Sequence, residues 1–89
     1  MDMPKIQKEV IVKSTQGLHA RPAALFVQIA VKYDSNLTVR KDDESVNGKS
    51  IMGILMLGIQ QNTKITIIIE GDDAHQLMSE LEEFLNKNE

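Results

Sequence analysis

In the stretch Lys64-Ile65-Thr66-Ile67-Ile68-Ile69-Glu70, Ile65, Ile67 and Ile69 alternate with Lys64, Thr66 and Glu70. This period-two pattern predicts a strand with one face in a core. Weaker versions of it occur towards the N-terminus. Over residues 6–12 the apolar even positions Ile6, Val10 and Val12 predict a first strand, although Lys8 breaks the pattern. Leu37 and Val39 alternate with Thr38 and Arg40 in a second strand. A polar turn, Asp42-Asp43-Glu44, leads into a short third strand over residues 45–47. Helices fill the gaps. Pro22 is tolerated in a first helical turn, where a missing N–H costs nothing. From Pro22 to Tyr33, Phe26, Ile29 and Tyr33 fall with Pro22 on one apolar face, and Arg21, Gln28 and Lys32 on the opposite stripe. That helix is expected to end near Asp34-Ser35. Ser50 is a plausible N-cap and Gly58 a terminator for a short helix between them. Asp73 followed by Gln76 has the form of a capping box. Behind it Leu77, Leu81, Phe84 and Leu85 make the apolar face of a last helix. Half-apolar strands interleaved with helices are buried most simply by one sheet with helices over one face. The fold class is α+β.

The composition narrows the function. The chain has 89 residues, ten basic and thirteen acidic, a net charge of -3, 42% hydrophobic residues and no cysteine. A chain of this length is expected to form one domain, residues 1–89, with no room for a second core. The acidic balance and the three aromatics, Phe26, Tyr33 and Phe84, argue against nucleic acid as a partner. Without cysteine there is neither a disulfide framework nor a thiolate metal site. No secretory signal is expected from the N-terminal residues, and the start could be Met1 or Met3. The longest apolar run, residues 51–59, is too short to insert across a bilayer. A cytoplasmic protein is expected.

Three places carry chemistry. In Gly17-Leu18-His19-Ala20-Arg21-Pro22, the histidine stands immediately before a helix. Helix N-termini present unpaired N–H groups and a partial positive charge, which suit an anion. A neutral imidazole is a nucleophile near physiological pH, and a phosphoryl group on it would face those N–H groups. Arg21 could add a charge-assisted bond, and Gly17 a tight turn. On residue types alone, a plain helix cap with a solvated arginine is the commoner arrangement. Ser50 at a helix N-cap is a physically sensible phosphorylation site, since the helix dipole favours the added charge. For an isolated serine, an ordinary cap worth about 1 kcal/mol is the commoner role. The short helix is apolar on nearly every side. Ile51, Ile54 and Leu55 read as core, and Met52 and Met56 as a separate face, either docking surface or covered by another segment. His75, in the first turn of the last helix, reads as a solvated side chain. The two histidines and scattered carboxylates make no metal site, and no cofactor is expected.

Together, Gly17-Leu18-His19-Ala20-Arg21-Pro22-Ala23 and Val46-Asn47-Gly48-Lys49-Ser50-Ile51-Met52-Gly53 resemble the HPr family. These are the histidine-containing phosphocarrier proteins of the bacterial sugar phosphotransferase system, here of the Gram-positive type. The resemblance runs from about Ile6 to Leu85. It implies an open-faced sandwich: a four-stranded antiparallel sheet in the order 1-4-2-3 with three helices on one face. It implies that His19 takes a phosphoryl group on Nδ1 from phospho-Enzyme I, itself charged by phosphoenolpyruvate. The group would pass to a histidine on the IIA domain of a sugar permease, steadied meanwhile by Arg21. Ser50 matches the serine phosphorylated by the ATP-dependent HPr kinase/phosphorylase. In that family the serine-phosphorylated form is a corepressor for a LacI-type catabolite control regulator. Ala20, Ala24, Ile51, Met52 and Leu55 match the common docking surface, and a monomer is expected.

Two departures stand out. Gln16 replaces the small hydroxylic residue that many relatives carry near the histidine. Leu55-Met56 replaces a methionine-then-serine order, making the docking patch more apolar. Three alternatives differ in class. One is a regulatory paralogue acting through Ser50; the known paralogue of this kind replaces the active histidine, whereas His19 is present. Another is a nitrogen-pathway homologue with the same histidine chemistry. The last is a small anion-binding or hydrolytic enzyme using His19 and Arg21, for which no second acid or base lies nearby in sequence.

Overall fold

The computed structural model describes residues 3–87. In chain order the elements are β1 (Lys5–Ile11), α1 (Ala20–Ala30), β2 (Asn36–Lys41), β3 (Glu44–Asn47), α2 (Ile51–Met56), β4 (Lys64–Glu70) and α3 (Ala74–Leu85). The strands form one antiparallel sheet in the order β1-β4-β2-β3. Ile65, Ile67 and Ile69 of β4, with Leu37 and Val39 of β2, are buried in one core with Phe26, Leu77, Leu81 and Ile54 from the three helices. The choice of start at Met1 or Met3 involves residues outside those described.

The Lys8 anomaly in β1 has a simple cause. Lys8 pairs with Ile67, which pairs with Val39, so its side chain leaves on the helical side of the sheet. There its ammonium reaches Glu82 Oε1 of α3 at 2.9 Å. On an edge strand an inward-pointing charge also discourages pairing with another chain.

Three expectations are corrected. The first helix begins directly after His19 with Pro22 in its first turn, as expected, but it stops at Ala30 rather than near Asp34. Tertiary partners pull the chain off the helical path there. Lys49 Nζ donates to the Tyr33 carbonyl at 2.6 Å, and the Tyr33 hydroxyl donates to Glu80 Oε1 at 2.6 Å. The capping box at Asp73 does not form, because its carboxylate is engaged elsewhere. It accepts the N–H of Asp34 at 2.9 Å, the N–H of Ser35 at 3.0 Å and the Ser35 hydroxyl. Ile51, read as core, is exposed, since a six-residue α2 seats only Ile54 fully.

Asp73 and Glu80 therefore fasten the turn after α1 to α3. The Ser35 hydroxyl, then the Asp34 N–H, hold the Asp73 carboxyl below its ordinary range. Lys32, then Tyr33, do the same for Glu80. A carboxylate whose pKa falls on folding stabilises above its unfolded value, about 4, and that contribution is lost as pH falls through the folded value. Asp73→Asn is thus expected to flatten the acid limb of stability. Its urea midpoint should fall less than the parent's between about pH 6 and pH 3. An equal fall in both proteins would exclude the Asp73 clasp as a source of that limb.

Candidate functional site

Gly17 fixes the geometry of the loop before α1. Its φ is +60°, and a Cβ there would be driven into the Ile59 carbonyl and lie 2.7 Å from Gln60 Cα. The loop can therefore lie flat on the segment before β4. Leu18 continues the contact, with its N–H donating to the Ile59 carbonyl at 2.9 Å and its side chain buried. With Leu18 pointing in, the extended His19 that follows points out. His19 is the N-cap of α1, its imidazole makes no capping bond, and its carbonyl accepts the Ala23 N–H at 2.8 Å. Pro22 has no N–H, and the amides of Ala20 and Arg21 find no acceptor among the described residues. An exposed nucleophilic ring thus stands beside two open donors at the positive end of an eleven-residue helix.

Arg21 is exposed and borders a cleft whose other walls include Ser14, Gln16, Leu25, Phe84 and Lys87. Lys87 places a second cation near the start of α1. Nothing in the local motif pointed to it, because it arrives from the far end of the chain. Gln16 lines the same cleft, on the Arg21 side of the histidine loop. His75 is exposed on α3, as expected of a solvated side chain.

Ser50 caps α2, its Oγ accepting the Gly53 N–H at 3.0 Å. Gly58, with φ +60°, ends that helix, and Lys41 Nζ donates to the Leu57 and Gly58 carbonyls at 3.0 and 3.3 Å. Those last two bonds place a cation at the negative end of α2, a contact that sequence spacing does not announce. The helices α1 and α2 pack against each other. On them Ala20, Ile51 and Met52 are exposed, with Met52 at 68%, while Ala24 and Leu55 are half-buried. Met56 is 76% exposed, so both methionines are uncovered among the described residues. No group of three or more metal-ligating side chains occurs among the described residues, and no helix there is long and apolar enough to cross a membrane.

Comparison with known proteins identifies the family and the fold. A family model described as the phosphotransferase-system HPr component phosphorylation site matches residues 6–87. The chain is 46% identical over 82 residues to HPr-like protein Crh of Halalkalibacterium halodurans, covering 92% of this chain and 98% of that protein. The crystal structure of phosphocarrier protein HPr from Bacillus anthracis str. Ames superposes with a TM-score of 0.90 at 44% identity, covering 92% of this chain and 98% of that one. Crh of Bacillus subtilis, whose crystal structure is described as a domain-swapped, intertwined dimer, superposes with a TM-score of 0.75 at 38% identity, covering 93% and 95%. With its 1-4-2-3 sheet and the histidine and serine motifs at the starts of two adjoining helices, the chain belongs to the HPr family of the phosphotransferase system.

Proposed function

We propose that this protein carries a phosphoryl group on His19, taking it from phospho-Enzyme I and passing it to IIA domains of sugar permeases. The observation that supports this most is the free, exposed imidazole beside the open amides of Ala20 and Arg21. Phosphoryl transfer is mostly positioning and charge stabilisation, so little more machinery is needed. The imidazole lone pair forms the new N–P bond as the bond to the donor's histidine breaks. The two amides and the Arg21 guanidinium then take up charge on the phosphoryl oxygens. A carrier must also release its cargo, and an exposed ring with few contacts suits that requirement. The apolar patch of Ala20, Ala24, Ile51, Met52 and Leu55 is small, as befits transient complexes made in turn with several partners. The protein acts as a cytoplasmic monomer without metal or cofactor.

Ser50 is the regulatory site, phosphorylated by the HPr kinase/phosphorylase and read by a LacI-type regulator. Its position at the head of α2 puts added charge beside Ile51 and Met52. That charge is expected to repel an acidic partner surface and to be costly to desolvate. Ser50→Asp should therefore slow phosphorylation of His19 by about tenfold, equivalent to about 1.4 kcal/mol. Equal rates for variant and parent would remove this coupling.

The direct test is intact-protein mass spectrometry after incubation with phosphoenolpyruvate and Enzyme I. One phosphate that is lost in acid supports the carrier reading. The similarity to Crh favours a second reading, a regulatory protein that works through Ser50 alone. No adduct with active Enzyme I, but an acid-stable phosphate with ATP and the kinase, would support that one. Sedimentation during the same experiments tests the monomer.

A further inference from the structure

Asn47-Gly48 is the only asparagine–glycine pair in the chain. With no Cβ beside it, a glycine nitrogen is open to the preceding asparagine carboxamide. In this fold the pair sits at the join between β3 and α2. Asn47 ends β3 and is exposed. Its Oδ1 accepts the Lys49 N–H at 2.9 Å, which folds the carboxamide back over the peptide that follows. Its carbonyl accepts the Ser50 N–H at 3.1 Å, so Asn47 also sets the residue that caps α2.

One contact opposes reaction. The Gly48 N–H donates to the Leu37 carbonyl at 2.8 Å, and Gly48 is buried. Pairing of Asn47 with Thr38 also keeps its backbone extended. Yet β3 has four residues and lies at the sheet edge, where local opening is least costly.

We propose that Asn47 is a self-modification site whose carboxamide is converted to carboxylate through the Gly48 nitrogen, gated by release of Gly48 from Leu37. In the open state the Gly48 N–H gives its proton to solvent as the nitrogen attacks Asn47 Cγ. A five-membered succinimide forms, the Cγ–Nδ2 bond breaks, and ammonia leaves after taking a proton from solvent. Water then opens the ring at either carbonyl. The balance is one carboxamide plus one water to one carboxylate plus one ammonium ion. Opening one way yields an ordinary aspartate at this position. Opening the other way routes the main chain through the former side chain and lengthens it by a methylene. Both products add a negative charge beside Lys49 and Ser50. The lengthened chain also moves Ser50 out of register, so its hydroxyl loses the Gly53 amide.

The experiment follows the peptide containing Asn47 by mass spectrometry during incubation of the full chain at mildly alkaline pH. It is run on the folded protein, on the chain in denaturing urea and on Asn47→Gln. Conversion is expected at Asn47 in the parent and not in the variant, whose longer side chain would have to close a six-membered ring, which forms much more slowly. It should be about tenfold slower in the folded protein than in urea, a local opening free energy of about 1.4 kcal/mol. Sub-denaturing urea should raise conversion and hydrogen exchange of the Gly48 amide in parallel. The lengthened product, separated by chromatography, should lose exchange protection at the Gly53 amide relative to both the parent and Asn47→Asp. Absence of conversion at Asn47 in the folded protein, or conversion as fast as in urea, would overturn the proposal. Unchanged Gly53 protection in the lengthened product would overturn its link to the cap of α2. None of these readouts depends on the phosphocarrier reading.

Discussion

His19→Ala is expected to abolish acid-labile phosphorylation by phosphoenolpyruvate and Enzyme I while leaving stability within about 0.5 kcal/mol of the parent. The two halves of that expectation have separate causes. In the proposed role the imidazole provides the nitrogen that takes the phosphoryl group, and the described residues offer no replacement. His75 lies on α3 among Ile6, Lys8, Met78, Ser79 and Glu82, away from the amides at the start of α1. Stability is spared because His19 is exposed and its side chain caps nothing. The backbone that holds the loop, from Gly17 to the Ala23 amide, does not need the ring. Ser50 differs here: its hydroxyl does cap α2, so Ser50→Ala would cost about 1 kcal/mol. Intact mass and a urea titration on the same sample check both halves. A phosphate retained by a folded His19→Ala protein would move the acceptor elsewhere. A large loss of stability would mean that the ring supports the fold.

The contrast between these two helix caps shows what the sequence could disclose. Ser50 followed by Gly53 has a local solution, a hydroxyl and an amide three residues apart, and the structure uses it. Asp73 followed by Gln76 has an equally good local signature, but Asp73 spends both oxygens on Asp34 and Ser35, far away in sequence. Local spacing is decisive only where no distant partner competes. The same distinction explains the strands. In β4, Ile65, Ile67 and Ile69 all face the core, so alternation was readable. In β1 the edge position and a partner on α3 admit Lys8 into the inward row. The end of α1 was illegible for that reason too, since Lys49 and Glu80 determine it from outside the segment.

The site follows the same logic. His19, Arg21 and Ser50 stood out because helix starts have a local chemistry, and two motifs in one short chain carried the family resemblance. The exposure of Ile51 did not, because periodicity assigns a face without saying whether anything covers it. Lys87 and the cleft wall of Phe84 come from α3 and the residues after it, and only the packing of α3 beside α1 brings them near Arg21. Charge placed by tertiary packing leaves no signal in the motif it comes to lie beside.

Gly17→Ala is expected to have the largest effect on the fold, about 3 kcal/mol of destabilisation, and to impair His19 with it. The left-handed φ of +60° alone costs an alanine about 1 kcal/mol. The rest is steric. The new Cβ meets the Ile59 carbonyl and the Gln60 backbone, which are main chain and cannot swing aside as a side-chain tip would. The loop must lift, breaking the Leu18 N–H bond to Ile59, worth about 1 kcal/mol, and drawing Leu18 partly out of the core. Because Leu18 precedes His19, the same shift tilts the imidazole relative to the Ala20 and Arg21 amides. Phosphorylation per folded molecule should then fall at least about tenfold, since small misplacements are costly when positioning is the main source of rate. Gly58→Ala supplies the control. Gly58 has the same φ of +60° but a Cβ there would meet nothing within 4 Å, so it should lose only the backbone contribution, about 1 kcal/mol. Urea titration of the two variants separates the contributions. If both lost the same stability, contact with Ile59 would not be what requires glycine before the histidine.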